Sequence, residues 1–137
     1  MSTINLMKPG NMPDQLIGDE FISIKRIIDY LLSGNAKTCA IQKLYSVDKY
    51  NNKFFYNKIK WLHKRYLLIR LELARRHTII VDFNDLFIDC KLKYPSLYNS
   101  WEPKDCDFLI SKSVLYGKIC KNPEYYTWNY PEGYRFC

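Results

Sequence analysis

The sequence predicts a single, mostly helical domain. Three segments carry apolar residues at steps of three and four, the mark of one buried helix face. A length of 137 residues suffices for one ordinary core but not two. The composition, 47% hydrophobic and 26% charged, is that of a globular protein.

The first helix is read from Asn11-Met12-Pro13-Asp14-Gln15, where a capping Asn, an early Pro and an early acid mark a start. Ile17, Phe21, Ile24, Ile28 and Leu31 supply its stripe, and Ser33-Gly34-Asn35 ends it. Residues 36–52 are mixed and turn-rich, a connecting loop. From about Lys53, the positions Phe55, Ile59, Leu62, Tyr66, Ile69 and Leu73 alternate steps of four and three, which predicts one long amphipathic helix. Thr78 to Val81 is β-branched and reads as extended, followed by a short helix capped near Asp82 or Asn84 and running to about Cys90. After a loop bearing Pro and Tyr, Pro103 opens the third main helix, with Phe108, Leu115 and Ile119 on its apolar side, stopping before Asn122-Pro123. The last 13 residues hold six of the 22 aromatics, Tyr125, Tyr126, Trp128, Tyr130, Tyr134 and Phe136, interleaved with Pro and Gly, so the tail is not helical. There is no internal repeat and no linker, so residues 1–137 are read as one domain.

Several classes are disfavoured. No apolar run approaches the ~20 residues of a membrane helix, and the amino-terminal residues lack the zoning of a secretory leader, so the expected compartment is the cytoplasm. Five cysteines at 39, 90, 106, 120 and 137, with no close pair, suit neither a disulfide framework nor zinc. His63 and His77 have no Cys, Asp or Glu at ligand spacing, so neither a metal nor another cofactor is expected.

Charge is concentrated. Of 21 basic and 14 acidic residues, eight basic ones (Lys53, Lys58, Lys60, Lys64, Arg65, Arg70, Arg75, Arg76) and only Glu72 lie between positions 53 and 76, so the remainder cancels. A local excess of positive charge attracts polyanions through counterion release, which makes nucleic acid the leading partner class. The competing reading is a solvated helix face.

The order and spacing of several patches add a second line. They are Ile4-Asn5-Leu6, Asp14-Gln15 with Glu20 and Arg26, FFYNKIKWLHKR from Phe54 to Arg65, Pro103, Ile110-Ser111, Leu115, Lys118-Ile119, Pro123 and the aromatic run from Tyr125. Together they resemble the phage pyrimidine-dimer DNA glycosylases of the endonuclease V type over nearly the whole chain. The resemblance implies an all-α, compact three-helix domain with irregular loops and an aromatic tail, its amino terminus threaded against the first helix. It also implies duplex DNA as partner and attack by an amino-terminal α-amine on the sugar C1′, assisted by a Glu, with strand cleavage through the imine. An α-amine, with pKa of about 7.7 to 8.0, is partly neutral at cellular pH and suits that role.

Ser2 stands at the position of the family's terminal Thr, but Ser23 stands at the position of its catalytic Glu, and a serine cannot serve as a carboxylate base. Thr3, Ile22 and Val114 replace arginines that grip phosphate. Asp19 and Glu20 are the substitutes nearest Ser23, one turn away, although acids in a helix's first turns more commonly face solvent. What the resemblance retains is DNA-contact equipment: Arg26, Lys53, Lys58, Lys60, Lys64, Arg65 and Lys118, with Tyr125, Tyr126 and Trp128 as rings able to stack on bases or to pack the tail. The implied function is therefore a DNA-binding protein without the standard reaction, serving a viral particle, genome packaging or counter-defence in the virion or host cytoplasm. The alternatives are an active glycosylase and AP lyase using Ser2 with Asp19 or Glu20, and a non-enzymatic module that docks on a viral or acidic protein partner.

Overall fold

A computed structural model describes residues 4–47 and 51–129. Its architecture is all-helical, with no strand among the described residues. Three helices of 17 residues form the frame: α1 (Asp14–Tyr30), α3 (Ile59–Arg75) and α5 (Asp105–Lys121). Two shorter ones, α2 (Asn51–Phe54) and α4 (Asn84–Lys93), complete it. The three main helices match those predicted from periodicity, and their boundaries shift for local reasons.

α1 begins at Asp14 rather than near Asn11, because Pro9–Asn11 forms a separate tight turn and Pro13 is extended. A wide turn over Leu31–Asn35 closes it, and Gly34 at φ 100 adopts the left-handed conformation that favours glycine. The long helix expected from Lys53 is broken. α2 passes through a tight turn at Phe55–Asn57, and Lys58 is non-helical before α3 starts. The adjacent rings of Phe54 and Phe55, on either side of the junction between α2 and the tight turn, both enter the core. They join Tyr45, Trp61 and Trp101, with Phe55 stacked on Trp61 at 5.1 Å and Phe54 edge-on to Trp101 at 4.8 Å.

Thr78 to Val81 makes no strand, and the chain passes directly to α4, whose first amide, Asn84 N–H, donates to Asp82 at 2.9 Å. α4 runs three residues beyond the expected end and stops before Pro95. α5 starts two residues after Pro103, where the Asp107 carboxylate accepts the Lys104 amide at 2.9 Å.

The core sits between α1 and α3. Ile17, Ile24, Ile27 and Ile28 face Ile59, Leu62, Tyr66 and Ile69, all essentially inaccessible, each contributing about 1.5–3 kcal/mol on burial. Phe21, Phe83 and Phe87 surround Tyr66, whose hydroxyl accepts the Phe83 amide at 3.0 Å and donates to Asp82 at 2.7 Å. α5 meets this body through Ser111 and Leu115 and leaves most of its surface exposed.

Candidate functional site

The segment Ile4 to Met7 enters the core without joining a sheet, so its backbone polar groups need side-chain partners. Four helices and one loop provide them. Ile4 N–H donates to Asn51 Oδ1 at 2.6 Å, and the Tyr45 hydroxyl donates to the Ile4 carbonyl at 3.0 Å. Asn5 N–H donates to Glu20 Oε1 at 2.9 Å. Leu6 N–H donates to Ser111 Oγ at 2.9 Å, and that hydroxyl donates to Asn5 Oδ1 at 2.8 Å. The Met7 carbonyl accepts from Arg65 at 2.6 Å. The described part of the amino-terminal segment thus lies against α1, clamped by α1, α2, α3, α5 and the loop holding Tyr45. Burial pushes the Tyr45 hydroxyl up to about 12, against a smaller opposing contribution from Ser111, and keeps it a donor. Ser2, the candidate nucleophile, and Thr3 lie outside the described residues.

Glu20 is the centre of the clamp and is fully buried, which corrects the expectation that it faces solvent. Arg65 binds it side-on, Nε to Oε2 at 2.6 Å and the second nitrogen to Oε1 at 3.2 Å. Arg65, expected among the phosphate contacts, is only 5% exposed and is directed inward. Ser23 follows Glu20 by one turn on the same face and is also buried. Asp19 is exposed. It lines a crevice with Val114 and Lys118 whose volume, about 10 Å³, holds a water molecule but not a sugar or a base. The structure therefore brings Asp19, Val114 and Lys118 together, leaves Asp19 exposed where Ser23 is buried, and commits Glu20 to structure. Ile22 and Arg26 are exposed on the outer side of α1.

The basic segment divides by residue type. Its arginines are all in ion pairs: Arg65 with Glu20, Arg70 with Asp82 at 3.0 Å, Arg75 with Glu72 at 3.7 Å, and Arg76 with both Glu72 and Asp14 at 2.9 Å. Arg76 also donates to the Pro9 and Gly10 carbonyls. Asp82 is held below the usual carboxylate range by the Asn84 amide, then by the Tyr66 hydroxyl and Arg70. Among the lysines, Lys58 lies over the Phe54 ring at 3.8 Å and donates to the Phe54 carbonyl, and partial burial lowers its pKa. Lys53, Lys60 and Lys64 are exposed, the last two one turn apart on α3. Outward lysine charge thus sits in the amino-terminal half of the segment, while the half-buried Arg70 and the exposed Arg75 are paired with Asp82 and Glu72.

The tail is pinned to the start of α1. Asp14 N–H donates to the Thr127 carbonyl at 2.7 Å, and the Asp14 carboxylate accepts from Thr127 Oγ1 at 2.9 Å and Asn129 Nδ2 at 2.6 Å. Trp128 Nε1 reaches the Asn11 carbonyl at 3.4 Å while the ring stays 38% exposed. Tyr125 is 58% exposed and edge-on to Tyr126 at 5.1 Å, so the tail packs through its backbone and polar groups more than through its rings. Tyr130, Tyr134 and Phe136 lie outside the described residues.

The clamp residues Tyr45 and Asn51 were missed by sequence reasoning, and Ser111 entered only through the resemblance. Ser111 had one usable signal: it stands four residues before the buried Leu115. Among the described residues, no group of three or more His, Cys, Asp or Glu is placed to hold a metal ion, and no helix is long and apolar enough to cross a membrane. Cys39, Cys90, Cys106 and Cys120 are free thiols, with Cys90 pushed up to about 11 chiefly by burial. No protein-family model matches the chain, and no curated protein matches it.

Proposed function

We propose that the protein binds duplex DNA on the pyrimidine-dimer glycosylase fold its sequence resembles, without carrying out base excision. The observation that carries this reading is the pairing of the buried Ser23 with a Glu20 whose two carboxylate oxygens are already taken by Arg65 and the Asn5 amide. A general base needs a free lone pair within reach of its proton. Glu20 has neither access nor a vacant role, and Asp19 opens onto a crevice too small for a nucleotide.

DNA binding is supported by the exposed Lys53, Lys60 and Lys64, with Arg26 exposed on α1 and Lys118 half-buried on α5. Tyr125 offers an exposed ring for stacking. Such a protein would read backbone charge with little sequence preference. A place in a viral particle, in genome packaging or in counter-defence fits a non-catalytic binder of this descent.

The test is a titration of duplex DNA at several salt concentrations, run beside a strand-cleavage assay on ultraviolet-irradiated and abasic duplexes. Salt-dependent binding with no cleavage of irradiated DNA is expected. Binding that is absent at low salt, or insensitive to salt, removes nucleic acid as the partner.

A further inference from the structure

α3 ends in a face that DNA contact does not explain. Leu67, Leu68 and Leu71 are 43%, 53% and 51% exposed, and the half-buried Ile80 lies across a groove from Leu67 and Leu71. Single exposed apolar residues are ordinary, but Leu67 and Leu68, four and three residues before Leu71 on one helix, form with it an apolar patch of the kind that marks an interaction surface. Leu71 forms a ridge between two grooves. One, of about 450 Å³, runs between α3 and the Lys8–Asn11 turn; the other, of about 510 Å³, runs between α3 and Ile80. Both are open and lined mainly by apolar atoms beside basic groups.

The charge around this ridge selects its occupant. Lys64, Leu68, Leu71 and Arg75 fall on one stripe of α3 at steps of four, three and four. Lys8 and Arg75 border the first groove and Arg70 the second, whereas among the described residues lining the two grooves the one exposed acid is Asp82, already engaged by Arg70. A second copy of the chain in a two-fold arrangement would set this basic rim against itself. The phosphates that dominate a nucleic acid backbone give the leucines no apolar partner.

We propose that the carboxyl-terminal half of α3 is a docking groove for an acidic amphipathic helix of another protein, its apolar side chains seated on either side of Leu71 and its carboxylates meeting Lys8, Lys64 and Arg75. This is helix-in-groove recognition, in which anchors at helical spacing supply affinity and the charged rim supplies orientation. The first groove borders the clamp at Leu6 and Arg65 but is lined by neither Ser23 nor Glu20, so the inference stands independently of whether the protein cleaves DNA.

The probe is a fluorescein-labelled synthetic helix of about five turns with leucines at every third and fourth position and glutamates flanking them, titrated with the full chain by fluorescence anisotropy. The expected result is saturable binding that weakens at least about tenfold when lysines replace the glutamates, and equally when the protein carries Leu68→Asp with Leu71→Asp. Leu68→Gln with Leu71→Gln is the milder pair should the aspartates disturb folding, which circular dichroism reports. DNA affinity of the glutamine pair, which adds no charge beside Lys64, is expected to stay unchanged. Four results overturn the proposal: binding indifferent to the peptide's charge or to the leucines; loss of DNA affinity in the glutamine pair, which makes the face part of the DNA interface; sedimentation as a dimer that the leucine variants dissociate, which makes the occupant a second copy; and a tenfold or larger gain in peptide affinity on deleting residues 130–137, which makes it the chain's own tail.

Discussion

Arg65 and Glu20, 45 residues apart in sequence, meet at 2.6 Å with 5% and no exposure, and between them they hold the backbone of Asn5 and Met7. The pair is therefore an architectural joint linking α3, α1 and the amino-terminal segment. Removing one partner leaves a buried charge unmatched, so Arg65→Met or Glu20→Gln alone is expected to lower unfolding free energy by about 3–5 kcal/mol. The double variant is expected to recover part of that loss, as measured by urea denaturation in a double-mutant cycle. Additive losses would show that the two side chains do not act as a pair.

Ser111 bridges Asn5 and Leu6 through one hydroxyl. Ser111→Ala leaves the buried Leu6 amide without its partner and is expected to cost about 1–3 kcal/mol. Ser113→Ala, two residues on at an exposed position of the same helix, is expected to stay within about 0.5 kcal/mol of the parent. Equal effects in the two variants would show that the Ser111 hydroxyl contributes nothing specific to the clamp.

Stability is expected to fall at alkaline pH. Tyr45 is raised from 10.0 to about 12 and Cys90 from 9.0 to about 11, both chiefly by burial, and Tyr56, Tyr66 and Tyr98 are raised in the same direction. For each, the unfolded chain loses its proton first, so the stabilisation is complete below the unfolded pKa and declines as pH rises toward the folded one. The window is pH 9 to 11 for Cys90 and 10 to 12 for Tyr45. Lys58, lowered by burial, works in the opposite sense but is a single group. Thermal midpoints across this range are expected to drop, and Tyr45→Phe is expected to flatten the upper part of the curve. An unchanged slope in that variant would exclude Tyr45 as a contributor.

Lys60 and Lys64 are the exposed lysines of α3, so replacing both by Ala is expected to weaken duplex binding and to reduce the log-log salt slope by roughly 0.9 per lysine. Folding stability is expected to change by less than about 0.5 kcal/mol at these exposed sites. Undiminished salt dependence would place the phosphate contacts elsewhere.

Much of the fold was legible because apolar phase survives in a short sequence: Ile17, Ile24 and Ile28, then Ile59, Leu62, Tyr66 and Ile69, delimit α1 and α3 with few errors. The break at Lys58 was not, since Phe54 and Phe55 alone do not say that both rings turn inward. The site was less legible, because formal charge carries no mark of its partner. Glu20, Arg65 and Glu72 nevertheless stand in the apolar phase of their helices, Glu20 between Ile17 and Ile24 and Arg65 between Leu62 and Ile69. A charge in that register is a signal of a buried pair, and reading it would have removed Arg65 from the phosphate contacts and Glu20 from the solvent. Tyr45 and Asn51 lie in or beside a loop without periodicity and left no such mark.

Cleavage of ultraviolet-irradiated duplex DNA tests the assignment most directly, with wild-type protein and Ser23→Glu compared at equal concentration on a nicking gel. Ser23 is buried one turn from Glu20, so a carboxylate there adds a second buried acid on the same face, with a penalty on the order of several kcal/mol. Wild type is expected to nick no more than the protein-free control, and Ser23→Glu is expected to lose stability without gaining dimer cleavage. Robust dimer-specific nicking by the wild type would contradict the reading of Glu20 as a purely structural carboxylate and of the protein as a non-cleaving DNA binder.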